Sequence, residues 1–239
     1  DRGKYLVLRF NFSMVRATDD KLEAAFNRHI SLETAYFASV YASYFKPDFQ
    51  EQLKLIPEAA GRLEYICLCA KEQGLSIYLL IDEYDNFTNT ILSSKGNDVY
   101  HSLTHDSGFY RSFFNVVKGV TTGAEAPVKR MFITGVSPVT LDDVTSGFNI
   151  GTNITTDERF NSMVGFSESE LHEMLSYYQS EGMLVDSIDD IVRMMKPWYD
   201  NYCFAKECIG KTMYNSDMVL YFLNNYLQRK RPPSEMVDR

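Results

Sequence analysis

Tyr5-Leu-Val-Leu-Arg-Phe10 opens the pattern with a short apolar run, which predicts a buried strand continuing through Asn11-Phe12-Ser13. Thr18-Asp19-Asp20 offers helix-capping side chains. Leu22, Phe26, Ile30, Phe37, Val40 and Tyr44 then recur near helical spacing as far as Pro47. Pro57 suits the first residue of the next helix, whose apolar positions are Ala60, Leu63, Cys67 and Ala70 and whose stop signal is Gly74. Ser76-Ile-Tyr-Leu-Leu-Ile81 is a continuous apolar run of strand length, expected to be a central parallel strand covered on both faces. The polar stretch from Thr88 to Asp98 predicts a loop. Phe109, Phe113, Val116, Val117 and Val120 mark an amphipathic helix, and Val128 to Gly135 reads as a further strand ending in small and polar residues. Strands alternating with helical spans long enough for crossovers predict an α/β parallel sheet.

Beyond Ser137-Pro138 the pattern changes. Residues 146–156 are rich in Gly, Asn and Thr, with a short strand expected around Phe148–Ile150. Ser167 stands three residues before Glu170, a capping box that opens a helix. Another helix fits Ser187 to Met195, two β-like pieces fit Asn201–Phe204 and Thr212–Asn215, and a last helix runs from Asp217 to Leu227. The expected organisation is an α/β core over residues 1–160 and a helical, winged-helix-like lid or subdomain over 161–239.

Composition narrows the function classes. The 239 residues are 45% hydrophobic and 23% charged, which excludes disordered and coiled-coil chains. At 14% aromatic, the interior should be rich in rings. Lys and Arg number 24 against 32 Asp and Glu, a net charge of -8 that argues against direct binding of nucleic acid over a broad surface. Gln228-Arg229-Lys230-Arg231 is the one dense basic stretch. No apolar run reaches the roughly 18 residues of a membrane span. Cys67 and Cys69 form C-x-C, and Cys203 and Cys208 form C-x4-C. Neither is a zinc spacing, so the expectation is free thiols in a reducing cytoplasm. The first residues carry no methionine and no leader, and the chain is expected to be a piece of something longer.

The chemistry-bearing feature is Asp82-Glu83 at the end of the apolar run. Apolar residues followed by Asp-Glu form the Walker B pattern. An Asp at the carboxyl end of a central strand can hold Mg2+ beside nucleotide phosphates, and the neighbouring Glu can polarise a water. Open parallel sheets put ligands at that edge. The alternative is a strand that simply ends in solvated acids. Thr134-Gly135-Val136-Ser137 ends a second strand, where a polar side chain would lie beside the acids as a phosphate sensor; the alternative there is a plain strand-terminal turn. His101 and His105, four apart with Asp106 adjacent, could face one metal on a helix, but Ser102, Thr104 and Ser107 around them read as a solvated loop. Arg111, Arg130 and Arg159 could each approach a phosphate and read equally as surface arginines.

Leu79-Leu-Ile-Asp-Glu-Tyr-Asp85, Phe132-Ile-Thr-Gly-Val-Ser137, Gly165-Phe-Ser-Glu-Ser-Glu-Leu171, Trp198-Tyr-Asp-Asn-Tyr-Cys-Phe204 and Tyr214-Asn215 occur in that order. Together they resemble the AAA-ATPase-like domain of bacterial, Bacteroides-type proteins, which often carry a downstream PD-(D/E)XK nuclease-like domain. Asn201 stands where relatives tend to have Gly. The resemblance implies a P-loop NTPase-like fold and use of ATP and Mg2+. Asp82 would hold the metal, Glu83 would be the catalytic base, and Thr134 would contact the nucleotide. It also implies an alternative: a non-catalytic regulatory module on a degenerate ATPase fold, controlling an attached nuclease-like domain.

The phosphate-cradling G-x-x-x-x-G-K-[ST] expected before the first strand does not occur in these residues. Gly210-Lys211-Thr212 fails the pattern, because Ala205 stands where the first Gly belongs. Residues 1–239 alone are therefore expected to bind ATP weakly or not at all. Isothermal titration should find no micromolar affinity, and a micromolar constant would overturn this expectation.

Overall fold

The computed structural model describes residues 3–15, 21–136 and 151–237. The expected Thr18-Asp19-Asp20 cap and the short strand around Phe148–Ile150 lie outside them. By contact density the chain divides into two compact units, Asp1–Gly151 and Thr152–Arg239.

The first unit holds three parallel strands, β1 (Leu6–Asn11), β2 (Ile77–Asp82) and β3 (Val128–Ile133), in the order β1-β2-β3. Between β1 and β2 run α1 (Leu22–Val40), α2 (Phe49–Lys54) and α3 (Ala59–Glu72). Between β2 and β3 run α4 (Asn86–Lys95), α5 (Asn97–Thr104) and α6 (Phe109–Thr121). The α/β reading and the central place of β2 agree with the sequence. The loop expected over Thr88–Asp98 is instead two helices joined at Gly96, whose φ of 86° is a conformation glycine adopts without a Cβ penalty. Ile91 falls in line with Phe87 and Thr88 to bury one face of α4, and that burial outweighs the low helix propensity of its Asn, Thr and Ser.

Alternation along the strands explains the packing. Leu6, Leu8 and Phe10 of β1 and Ile77, Leu79 and Ile81 of β2 are buried on one face, in a cluster with residues of α1, α3 and α6. The intervening positions are less covered: Val7 is 42% exposed and Phe132 of β3 37%, while Tyr78 and Leu80 are half-buried. The expectation that β2 is covered on both faces is thus met on one face only among the described residues.

The buried side is a cage of rings. Phe12, fully buried, meets Phe10, Phe26, Tyr110, Phe113 and Phe114 with centroids 5.3–6.4 Å away, four of the five edge-on.

The second unit contains α7 (Glu168–Ser180), α8 (Ile188–Tyr199) and α9 (Ser216–Arg229), with an antiparallel pair β4 (Asp200–Tyr202) and β5 (Met213–Tyr214). Both halves of the Ser167–Glu170 capping box are formed. Asn161 ties the loop around β4 and β5 together: its Oδ1 accepts from the Phe204 and Ala205 N–H groups, and its Nδ2 donates to the Lys211 carbonyl. Gly210-Lys211-Thr212 lies in the connection between these strands, as expected for a turn rather than a phosphate loop.

Truncating Phe12 removes the hub of the ring cage. Phe12→Ala should cost about 3–5 kcal/mol in denaturant unfolding of the first unit, and a loss under about 1 kcal/mol would show that the cage collapses around the gap.

Candidate functional site

All three parallel strands end on the same edge of the sheet, and the register places Asn11 opposite Asp82. Thr134 immediately follows β3, and its N–H donates to the Ile81 carbonyl at 2.9 Å. Its carbonyl accepts from the Tyr84 N–H at 3.1 Å. In a regular parallel ladder that second donor would be residue 83. One extra residue is therefore inserted at the strand end, and Glu83 takes the strain with φ at 51°. A left-handed backbone costs a non-glycine residue roughly 1–2 kcal/mol.

The side chains follow from this. Asp82 lies on the less covered face, in step with Tyr78 and Leu80. The Thr134 hydroxyl donates to Asp82 Oδ1 at 2.5 Å, and Arg9 approaches Asp82 Oδ2 at 3.4 Å. The Arg9 pair is exposed on both sides, 62% and 40%, so it contributes little to stability. Asp82 and Thr134 together present hard oxygen donors of the kind Mg2+ takes. Sequence reasoning named Asp82, Glu83 and Thr134, and the fold brings all three to one strand edge.

Asp85 is the residue that sequence reasoning passed over. Its side chain is fully buried, and both carboxylate oxygens accept from the Val136 N–H at 3.1 Å. Asn89, one turn along α4, donates to Oδ2 at 3.0 Å, and Thr88 Oγ1 donates to the Asp85 carbonyl at 2.9 Å. Asp85 thereby pins the backbone just after Thr134. The available signal was a third acid in Asp82-Glu83-Tyr84-Asp85 followed four residues later by Asn89. The buried Tyr110 hydroxyl donates to the Tyr84 carbonyl, and burial followed by the nearby Asp85 pushes its ionisation well above the usual tyrosine range. Tyr110 is thus a permanent donor beneath the turn.

Gly135 is required by close approach. A Cβ there would sit 2.3 Å from the Tyr84 ring and 2.7 Å from Asp85 Oδ1. Near the end of β1, His29 on α1 is 8% exposed and bonds to the Asn11 backbone; burial lowers its pKa, favouring the neutral ring.

A family model described as Predicted AAA-ATPase, the AAA-ATPase-like family, matches residues 1–145, more than half of the chain and all three parallel strands. The chain belongs to this family. No curated protein and no solved structure matches it. In this AAA-ATPase-like chain the matched stretch contains Asp82, Glu83, Asp85 and Thr134, and ends before the second unit begins.

The other sequence candidates are dispersed. Arg159 makes a bidentate pair with Asp157, with bonds of 2.6 and 3.0 Å, and lies over the Phe160 ring at 5.7 Å in the second unit. Arg130 is exposed on β3. The four cysteines are free thiols, and burial pushes the Cys67 thiol up to about 12. No helix among the described residues is long and apolar enough to cross a membrane.

Asp85→Ala leaves the Val136 N–H without its carboxylate partner. It should lower stability by about 1–3 kcal/mol, and Gly135→Ala should fold less stably still because the clash is with ring and carboxylate together. Chemical denaturation of both variants checks this; wild-type midpoints would show that the turn after β3 does not depend on the clamp.

Proposed function

We propose that this chain is the nucleotide-operated part of an ATPase, with its working edge at the carboxyl ends of β2 and β3. The observation that carries the reading is the 2.5 Å bond from Thr134 to Asp82 beside the strained Glu83. Backbone strain of this sort persists where the surrounding structure over-determines it, and it clusters at functional sites. Glycine would hold the same bulge without strain, and on this reading the carboxylate of Glu83 is what offsets the strain.

Asp82 would hold Mg2+, directly or through water, and the Thr134 hydroxyl would orient that carboxylate and report on the terminal phosphate. Bound Mg2+ would neutralise charge on the phosphate oxygens. Glu83 would take the proton of the attacking water. Family membership and the parallel α/β sheet support this reading. Residues 161–239 would form the helical, winged-helix-like subdomain, in a cytoplasmic protein that carries a nuclease-like domain in the same chain.

A second reading has an observation behind it. Both Asp82 oxygens already have partners, Thr134 on one and Arg9 on the other. A carboxylate so engaged also suits a non-catalytic module that uses the ATPase fold to control an attached nuclease-like domain.

Glu83 variants of the full-length protein separate the two. Glu83→Gln should lower ATP turnover by about 10²-fold or more while retaining ATP binding. Glu83→Gly should abolish turnover yet unfold no more easily than wild type, because it relieves the left-handed strain. Hydrolysis by Glu83→Gln at the wild-type rate would sink the catalytic role of Glu83, and a wild-type full-length protein that binds ATP without turning it over would favour the regulatory reading.

A further inference from the structure

The last turn of α5 carries a feature that the nucleotide chemistry does not use. His101 and His105 lie one helical turn apart, and their Nδ1 atoms face each other at 3.1 Å. The rings meet edge-on with centroids 4.4 Å apart. The Thr104 hydroxyl donates to the Tyr100 carbonyl at 3.0 Å and stands 2.9 Å from His105 Nδ1. With its own proton committed to Tyr100, Thr104 Oγ1 can only accept. The consistent assignment puts a proton on His105 Nδ1, shared between Thr104 Oγ1 and His101 Nδ1, and leaves the His101 Nδ1 lone pair facing it.

We propose that His101 and His105 form a bidentate site for a divalent first-row transition ion that favours imidazole, such as Zn2+. The argument is one of bite. With metal–nitrogen bonds of about 2.05 Å, a nitrogen separation of 3.1 Å corresponds to an N–metal–N angle of about 98°. That lies between the right angle of tetragonal ions and the tetrahedral angle of Zn2+. His101 lies in the last turn of α5, and His105 is the extended residue that ends it, with φ -119° and ψ 167°. The helix end and the turn that follows it therefore hold the donor atoms at chelating separation before any metal arrives.

Binding requires one rearrangement. In the bound form the His105 ring carries its proton on Nε2 instead of Nδ1, which frees both Nδ1 lone pairs for the ion. Thr104 keeps its bond to Tyr100. No three His, Cys, Asp or Glu side chains gather as a metal cluster among the described residues. The two imidazoles thus leave coordination positions for water or for a donor from a substrate or another chain.

The placement gives the ion something to fix. His105 lies at the C-terminal end of α5, where its N–H donates to the His101 carbonyl at 2.9 Å. It begins the tight turn to Gly108, whose absent Cβ would fall 2.1 Å from the Leu103 carbonyl oxygen. Two residues on, Tyr110 bonds to the carbonyl of Tyr84. A metal clip at His101 and His105 would stiffen the turn that leads into that bond.

The test is a titration of the full chain with Zn2+ alone and with Mg2+ alone, read by calorimetry and by thermal melting. The comparison is with His101→Ala and His105→Ala. His101 is exposed, so its variant should melt as wild type does without metal. The expected result is Zn2+ binding that raises the wild-type melting temperature, weakens by about tenfold or more in each variant, and has no Mg2+ counterpart at this site. Zn2+ affinity and melting shift unchanged in both variants, or no Zn2+ binding to the wild type, would overturn the proposal.

Discussion

The carboxyl edge of the sheet depends on how β3 closes against β2. Thr134 donates its N–H to Ile81 and gives its carbonyl to Tyr84, skipping the residue a regular ladder would use. That single insertion puts Glu83 in the left-handed region, next to an Asp82 that accepts from the Thr134 hydroxyl. Everything beneath the edge serves to hold the insertion in place. Asp85 binds the Val136 amide, Tyr110 binds the Tyr84 carbonyl, and Gly135 allows ring and carboxylate to approach the backbone.

The strain is supported from the buried face. Phe12 and Phe26 link β1 and α1 to Phe113 and Tyr110 of α6, so the helix that supplies Tyr110 is locked into the same ring cage as the first strand. A turn costing roughly 1–2 kcal/mol persists because several buried rings and hydrogen bonds over-determine it. Coverage is unequal: Val7 and Phe132 remain partly exposed on the face that carries Asp82 and Thr134. The packing beneath the edge therefore lies on one side of the sheet, and the Asp82 and Thr134 side chains lie on the other.

Much of this was legible in the residues. The run Ile77–Ile81 followed by Asp-Glu announced a central strand with acids at its end, and the strand–helix order announced the parallel sheet. The loop expected over Thr88–Asp98 was the main misreading. Its Asn, Ser and Gly content signals a loop locally, while tertiary burial of Phe87, Thr88 and Ile91 makes α4 a helix. The bulge at Glu83 could not be read, because no residue-type signal marks it: the position that the backbone would prefer as glycine is a glutamate. Asp85 was visible as a letter but not as a buried clamp, since an acid after a strand reads as solvated until a backbone amide is placed against it. The open face escaped notice because a five-residue apolar run carries no alternation to betray it.

The central claim is that Asp82 and Thr134 mark where the metal and terminal phosphate of a nucleotide are held. A crystal structure of the full-length protein with Mg2+ and a non-hydrolysable ATP analogue tests it most directly. The account predicts the cation bound to Asp82, directly or through one water, with the terminal phosphate facing Thr134 and Glu83. A nucleotide bound elsewhere on the fold, with the Asp82–Thr134 bond undisturbed and no cation beside it, would contradict the account.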